Sequence, residues 1–124
     1  MSGPTLGNGK VCYLKIPTDD VRVSANFYHR VFGWEVRQRN DGSLTFDDGV
    51  GEVSGTWSLG EKASPQQGIL VYIMVDNAET TMLKIITHGG SIMQEVGADA
   101  PEITAKFRDP FGNIWGLYEQ QHRR

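Results

Sequence analysis

Three histidines, one cysteine and two pairs of adjacent aspartates are the side chains of this 124-residue chain that could carry chemistry. His29 and His88 fall in stretches with helical periodicity, and His122 lies close to the C-terminus. A protein-bound divalent metal needs three or more imidazole, carboxylate or thiolate ligands that converge on one point. Histidines placed on helices and in a tail do not converge in this way, so the pattern predicts solvated histidines rather than metal ligands.

The cysteine and the aspartates are better explained by structure than by catalysis. Cys12 lies in an apolar strand pattern, which predicts an inert core thiol. A single cysteine also excludes an internal disulfide or a multi-cysteine metal site, and it is typical of the reducing cytoplasm. The pairs Asp19-Asp20 and Asp47-Asp48 both fall at predicted turns, where helix capping and turn formation account for them.

The helices and strands that must position these residues occur in the same order in both halves of the chain. Each half reads as a strand, a helix and three further strands, which predicts an α+β fold of two βαβββ modules. A unit this short cannot bury its own apolar face, so we expect a curved mixed sheet around a cleft, with the helices on one side. The predicted strands are residues 11–16, 34–39, 43–46, 52–59, 69–75, 91–95, 103–108 and 114–119.

Both predicted helices carry capping signals and an apolar stripe. Residues 17–20 supply a turn and an N-cap acceptor for the first helix, which Gly33 closes. Asn77 is the predicted N-cap of the second helix, and Gly89-Gly90 ends it. The residues predicted to face the core are Val23, Phe27 and Val31 in the first helix, and Ala78, Met82, Ile85 and Ile86 in the second.

Three stretches of the chain carry a resemblance to a known family. They are FYHRVFGW at residues 27–34, VDNA at residues 75–78, and DPFGN at residues 109–113, where Gly112 is free to take a positive φ. With the duplicated order, the chain resembles the vicinal oxygen chelate superfamily, which includes glyoxalase I, bleomycin resistance proteins and extradiol dioxygenases. The resemblance implies one glyoxalase-like domain over 11–119, with modules over about 11–59 and 69–119, followed by a C-terminal tail over 120–124. Residues 1–10 are rich in Gly, Pro, Ser and Asn, which predicts a flexible N-terminal tail.

The resemblance also implies where a metal would be bound. Members that are metal enzymes place His or Glu on the first strand of each half, and Glu on the last strand of each half. By strand register these positions hold Val11 or Cys12, Leu70, Gly116, and one of Ser54, Gly55 and Thr56. None offers an imidazole or a carboxylate. We therefore expect no cofactor, and a divalent metal is the alternative.

Aromatic residues are the stronger indication of a binding site. Alternation along the strands points Tyr13, Tyr72 and Tyr118 toward the predicted cleft, while Trp115 and Leu117 pack under the helices. Lys15 or Arg108 could meet an anionic group. The predicted ligand-binding residues are Tyr13, Trp57, Leu70, Tyr72, Gly116 and Tyr118, and the face on which Trp57 lies is left open. The alternative interpretation is that these aromatics fill the core of a metal-free domain.

Composition and charge narrow the classes of partner. The net charge of −3 gives no electrostatic reason for binding to nucleic acid or an anionic membrane, and no apolar stretch is long enough to span a bilayer. We expect a cytoplasmic, homodimeric protein that binds or sequesters a small organic molecule, as the resistance proteins of the resembled family do. The alternative is a glyoxalase-type lyase, isomerase or dioxygenase that uses a divalent metal or a non-standard acid–base pair, for which Glu52 and Glu119 are the strand carboxylates. A domain that binds another protein is a third possibility.

Overall fold

The computed structural model describes residues 3–65 and 68–120, which divide between two compact units with the boundary between Lys62 and Ala63. Each unit holds one helix and a four-stranded mixed sheet, in the predicted βαβββ order. Neither helix within these described ranges has the length and apolar character needed to cross a membrane. The ends of both predicted tails, including His122, lie outside the described residues.

The first unit contains five elements: β1 (Tyr13–Thr18), α1 (Val21–Phe32), β2 (Glu35–Gln38), β3 (Leu44–Asp47) and β4 (Ser54–Leu59). The strand order in its sheet is β1-β4-β3-β2, with β1 parallel to β4 and the other neighbours antiparallel. Strand β1 begins two residues later than predicted. Cys12 precedes it and is exposed, so the prediction of a core thiol is wrong.

The second unit repeats the plan with β5 (Tyr72–Val75), α2 (Ala78–Thr87), β6 (Ser91–Gln94), β7 (Ile103–Arg108) and β8 (Ile114–Glu119). Its strand order is β5-β8-β7-β6, again with one parallel pair, β5 and β8. Strands β7 and β8 have the predicted bounds, whereas β5 is shorter than the predicted strand. In both units the first and last strands of the module are therefore neighbours.

Helix α1 is fixed at both ends by its own sequence. The Asp20 carboxylate accepts hydrogen bonds from the backbone N–H groups of Arg22 (3.0 Å) and Val23 (3.2 Å), as predicted for an N-cap. Gly33 ends the helix with a left-handed φ of 72°. The Val23 side chain is 45% exposed, which corrects the predicted core stripe. The buried stripe is centred on the side of the helix to which Ser24 points. Consecutive side chains of a helix point about 100° apart, so Val23 lies outside this stripe.

Behind α1 lies an aromatic core. The rings of Tyr28 and Trp34 stack with centroids 4.7 Å apart, and those of Trp34 and Phe46 stack at 4.6 Å. The ring of Trp57 packs against Phe46 with centroids 4.9 Å apart. Because aromatic residues bury large apolar areas, this cluster supplies much of the core of a unit of only about 60 residues.

The N–H groups in the first turn of helix α2 are capped by the residue that precedes the helix and by one residue of the sheet. The Asn77 side chain accepts from the Thr80 N–H (2.9 Å), and Glu119 Oε1 accepts from the Ala78 N–H (2.8 Å). Its buried residues are Ala78, Thr81, Met82 and Ile85. Ile86, predicted to face the core, is 55% exposed. Thr81 is buried in its place, and the Thr81 hydroxyl donates a hydrogen bond to the Asn77 carbonyl.

Candidate functional site

Each sheet has one face that packs against the helix of its unit, and another that we call the open face. In the second unit Trp115 and Leu117 are buried and share the face of β8 from which Glu119 reaches the first turn of α2, so they lie on the helix side, as predicted. Directly paired residues of neighbouring strands project on the same side of a sheet. The open face of the second unit, identified from these pairings, comprises Tyr72, Met74, Thr104, Lys106, Arg108, Ile114, Gly116 and Tyr118.

A tyrosine ring on a glycine forms the centre of this open face. Tyr72 pairs with Gly116 across β5 and β8, and its ring lies directly over the glycine. A Cβ atom built on Gly116 would lie 2.6 Å from both Cδ2 and Cε2 of Tyr72. Tyr72 remains 45% exposed, so the ring presents an accessible flat apolar surface. Gly116 is therefore the residue that allows Tyr72 to lie flat on the sheet.

A lysine lies beside this platform. Lys106 pairs with Gly116 on the other side of β8, so its side chain projects from the same face as the Tyr72 ring. It is half-buried, and its ammonium group forms no hydrogen bond or ion pair with the residues that the structure describes. Arg108 was the cation predicted on β7, and Lys106 was missed, although the two lie two positions apart and the period of a strand puts them on one face.

The open face of the first unit is polar by comparison. Arg37 donates two hydrogen bonds of 3.0 Å to the two carboxylate oxygens of Asp47, and the Ser54 hydroxyl donates a third at 2.7 Å. These donors, Ser54 first and then Arg37, hold the pKa of Asp47 below its usual value. The carboxylate is thus kept ionised and fully engaged, which makes it unsuitable as a general base.

Asp47 was predicted to be a turn residue with Asp48. The structure gives the turn role to Asp48 alone, whose Oδ1 accepts from the Glu52 N–H at 2.8 Å and the Val53 N–H at 3.2 Å. Asp47 is the last residue of β3 and faces Ser54 across the ladder. The trio of Arg37, Asp47 and Ser54 was not found from the sequence, because the register between β2, β3 and β4 decides it.

The structure distributes the predicted ligand-binding residues over several places. Tyr13 lies on the open face of the first unit opposite Ser54, and is 44% exposed. Tyr72, Gly116 and Tyr118 lie together on the open face of the second unit. Leu70 is half-buried and precedes β5.

Trp57, whose face the sequence left open, lies in the core beneath α1 and is only 5% exposed. Its ring packs against Phe46 and Tyr28, which places it on the helix side of β4. Alternation explains this position, since its neighbours Thr56 and Ser58 in β4 are the residues that face away from the helix. Trp57 is thus not part of the open face.

The positions where the resemblance places metal ligands do not fit a divalent cation. The Tyr72 ring occupies the space over Gly116 that a ligating side chain would need. Both alternative carboxylates are engaged elsewhere: Glu52 with Thr5 and Lys10, and Glu119 with the first turn of α2. Among residues 3–65 and 68–120, no three His, Cys, Asp or Glu side chains come together to form a possible metal site.

Comparison with known proteins agrees with this architecture. A model of the Glyoxalase/Bleomycin resistance protein/Dioxygenase superfamily matches residues 10–117. A glyoxylase-like domain-containing protein from Didymella fabae is 27% identical over 120 residues, which are 89% of this chain and 93% of that protein.

Two solved structures show the same fold at low sequence identity. The fosfomycin resistance protein FosX from Listeria monocytogenes superimposes with a TM-score of 0.75 at 12% identity, covering 91% of this chain and 92% of its own. A glyoxalase/bleomycin resistance protein/dioxygenase family enzyme from Burkholderia phytofirmans PsJN gives a TM-score of 0.72 at 18% identity, covering 86% and 95%.

Proposed function

The chain belongs to the glyoxalase/bleomycin resistance protein/dioxygenase superfamily, and from that premise we propose that it binds or sequesters a small organic molecule without using a metal. The site that we propose is the open face of the second unit, centred on Tyr72, Gly116 and Lys106. The observation that carries the proposal is the exposed Tyr72 ring lying flat on Gly116.

The chemistry of this face indicates the kind of ligand. The Tyr72 ring, with Tyr118 two residues beyond Gly116 on β8, offers an apolar surface on which a planar group can stack. Lys106 supplies a positive charge that is not engaged with the described residues. We therefore propose a planar, largely apolar ligand with an anionic or hydrogen-bond-accepting group at one end.

A titration with 2-naphthoate and its uncharged amide, followed through backbone amide NMR signals, tests this proposal. We expect saturable shifts centred on Tyr72, Lys106 and Gly116. Lys106→Gln should weaken naphthoate binding about tenfold and naphthamide binding much less, because only the carboxylate forms a charged hydrogen bond. The control Lys84→Gln removes an exposed lysine of α2 and should leave both affinities unchanged. Signals that stay still with both probes would contradict the proposal.

The metal-free state is a separate proposal with its own measurement. It is supported by the covered glycine at position 116 and by the structural engagements of Glu52 and Glu119. Protein purified without chelator should contain far less than one equivalent of nickel, zinc, iron or manganese by elemental analysis. A stoichiometric metal that survives dialysis would favour the alternative, a glyoxalase-type lyase, isomerase or dioxygenase.

We also propose that the protein is a homodimer. Strand β5 is an edge strand with large exposed apolar side chains, among them Met74, which is 65% exposed. Ile69 and Val71 are also exposed, and such a patch on a sheet edge is typical of an interface. Light scattering after gel filtration should give twice the mass of 13.8 kDa, and a mass of one chain at micromolar concentration would contradict it.

A further inference from the structure

A second cation lies next to Lys106 on the open face of the second unit. Arg108 follows two residues later in β7, so its side chain projects from the same face, and the two Cα atoms lie about 7 Å apart. Both side chains are half-buried. Lys106 pairs directly with Gly116, on which the Tyr72 ring lies. Arg108 pairs with Ile114 and is therefore the diagonal neighbour of Gly116, so both cations border the Tyr72 platform.

Neither cation is neutralised by the part of the chain that the structure describes. Within that part, no carboxylate forms an ion pair with Lys106 or Arg108, and neither side chain donates a hydrogen bond. The Asp99 carboxylate, from the loop between β6 and β7, accepts hydrogen bonds from Thr104 and Gln94 instead. Two neighbouring positive charges that are partly removed from water repel each other, so an anion bound between them is stabilised by both.

This pair of cations suits a group with two negative charges better than a single carboxylate. A phosphate monoester carries a charge of about −1.5 to −2 at pH 7 and has three strong acceptor oxygens. A guanidinium binds two such oxygens at once, whereas an ammonium group acts as a point charge. Arg108 and Lys106 supply one group of each kind.

We propose that the ligand of this open face is an aryl phosphate monoester, recognised through its phosphoryl group. The aryl ring stacks on Tyr72, and the phosphoryl oxygens accept hydrogen bonds from Lys106 and Arg108. A short link between ring and phosphoryl group is sufficient, because the Tyr72 ring lies over Gly116, the residue that pairs with Lys106. This inference rests on the function proposed above and adds to it the class of ligand and the cation that selects that class.

Three naphthalene probes that differ in their anionic group test the inference by the same NMR titration, at about pH 7.5, where a phosphate monoester is a dianion. The first is 2-naphthyl phosphate; 2-naphthyl sulfate has the same tetrahedral shape with one charge, and 2-naphthoate has one charge on a planar group. We expect the phosphate to bind about tenfold more tightly than either of the others, as one additional charged hydrogen bond predicts. The affinities for the sulfate and the carboxylate should differ by less than about threefold.

Variants of Arg108 show which cation selects the phosphate. Arg108→Gln should weaken naphthyl phosphate binding about tenfold and naphthoate binding by less than about threefold, so that the preference for phosphate is lost. Arg108→Lys keeps the charge and should keep most of that preference, which separates a loss of charge from a loss of packing. The control Arg30→Gln removes an exposed arginine of α1 and should leave all three affinities unchanged.

The outcomes separate this inference from the function on which it rests. If naphthoate shifts the Tyr72 and Gly116 signals but the phosphate binds no more tightly than the sulfate, this inference is overturned and the proposed function stands. Signals that stay still with every probe would contradict both. An equal loss of affinity for all three probes in Arg108→Gln would also overturn the inference, because the arginine would then not distinguish among the anions.

Discussion

At the scale of single residues, two buried glycines in β-strands show that the absence of a side chain can serve two different structural purposes. A Cβ on Gly55 would collide with the Leu14 carbonyl oxygen and with the ring of Phe46, which is fully buried. The three atoms nearest to a Cβ on Gly116 would all belong to the ring of Tyr72, which is 45% exposed. The first glycine permits packing of the core, and the second permits a side chain to lie flat on an accessible face.

These different surroundings give the two glycines different expected mutational costs. Gly55→Ala should lower the free energy of unfolding by about 3 kcal/mol, because neither the backbone nor a fully buried ring can move aside. Gly116→Ala should cost about 1 kcal/mol or less, because Tyr72 can swing into solvent, and should weaken naphthoate binding severalfold. Urea denaturation and the NMR titration measure the two effects. Equal costs at both positions would contradict this explanation.

The ion pair on the open face of the first unit makes a prediction about pH. The pKa of Asp47 is lowered by Ser54 and Arg37, so the unfolded chain takes up a proton before the folded one as pH falls. The stability that Asp47 contributes is thus complete above the unfolded pKa of about 3.9 and is lost as pH falls through the lower folded value.

We expect Asp47→Asn to cost about 1 kcal/mol at pH 7, a value near the upper limit for a partly exposed ion pair because the geometry is bidentate. The difference from wild type should begin to shrink as pH falls below about 4 and should disappear only below the lower pKa that Asp47 has in the folded protein. Chemical denaturation at a series of pH values measures it. Asp76→Asn, which removes an exposed carboxylate without a hydrogen bond to the described residues, is the matched control and should change stability little.

At the scale of elements, the ends of helices depend on single side chains. Asp20→Ala removes the acceptor of two N–H groups at the start of α1 and should destabilise the protein by about 1 kcal/mol. The adjacent Asp19 is the control, because its exposed ion pair with Lys62 contributes little. Asp19→Ala should therefore stay within about 0.5 kcal/mol of wild type in thermal or urea unfolding. Equal losses for the two variants would contradict the capping role.

The sequence also predicted the ends of helices and the turns better than it predicted the other features of the fold. Asp20, Asn77 and Gly33 act as predicted, because capping depends on a few neighbouring residues. Gly112 takes its positive φ of 93° in the turn that begins at Asp109. Strand bounds at β1 and β5 were less predictable, since pairing with a neighbouring strand decides where a strand begins.

The candidate site was predicted only in part, for a physical reason. Alternation along β8 correctly predicted that Gly116 and Tyr118 lie on the opposite face from Trp115, because alternation is a property of one strand. That Tyr72 lies over Gly116 with Lys106 beside it depends on pairing among three strands, which no single segment encodes. Trp57 was left open for the same reason, since its face depends on what packs beneath β4.

At the scale of the whole molecule, one plan has been used twice with different chemistry. Both units keep a parallel pair formed by the first and last strands of the module, and a capped helix against one face of the sheet. The open face of the first unit is dominated by the linked polar groups of Arg37, Asp47 and Ser54. The open face of the second carries the Tyr72 platform and Lys106. We infer that duplication preserved the fold while the two faces diverged.

This divergence predicts unequal roles for two tyrosines that occupy equivalent places. Tyr13 and Tyr72 each begin the first strand of a module, and their exposed fractions are nearly the same, 44% and 45%. Only Tyr72 lies on a glycine, whereas Tyr13 pairs with Ser54. Tyr72→Ala should therefore weaken naphthoate binding about tenfold, as the loss of a stacked aromatic surface predicts, and Tyr13→Ala should weaken it by less than about threefold. If Tyr13→Ala has the larger effect in the titration, the aromatic surface that matters belongs to the first unit, and the proposed site on the second is wrong.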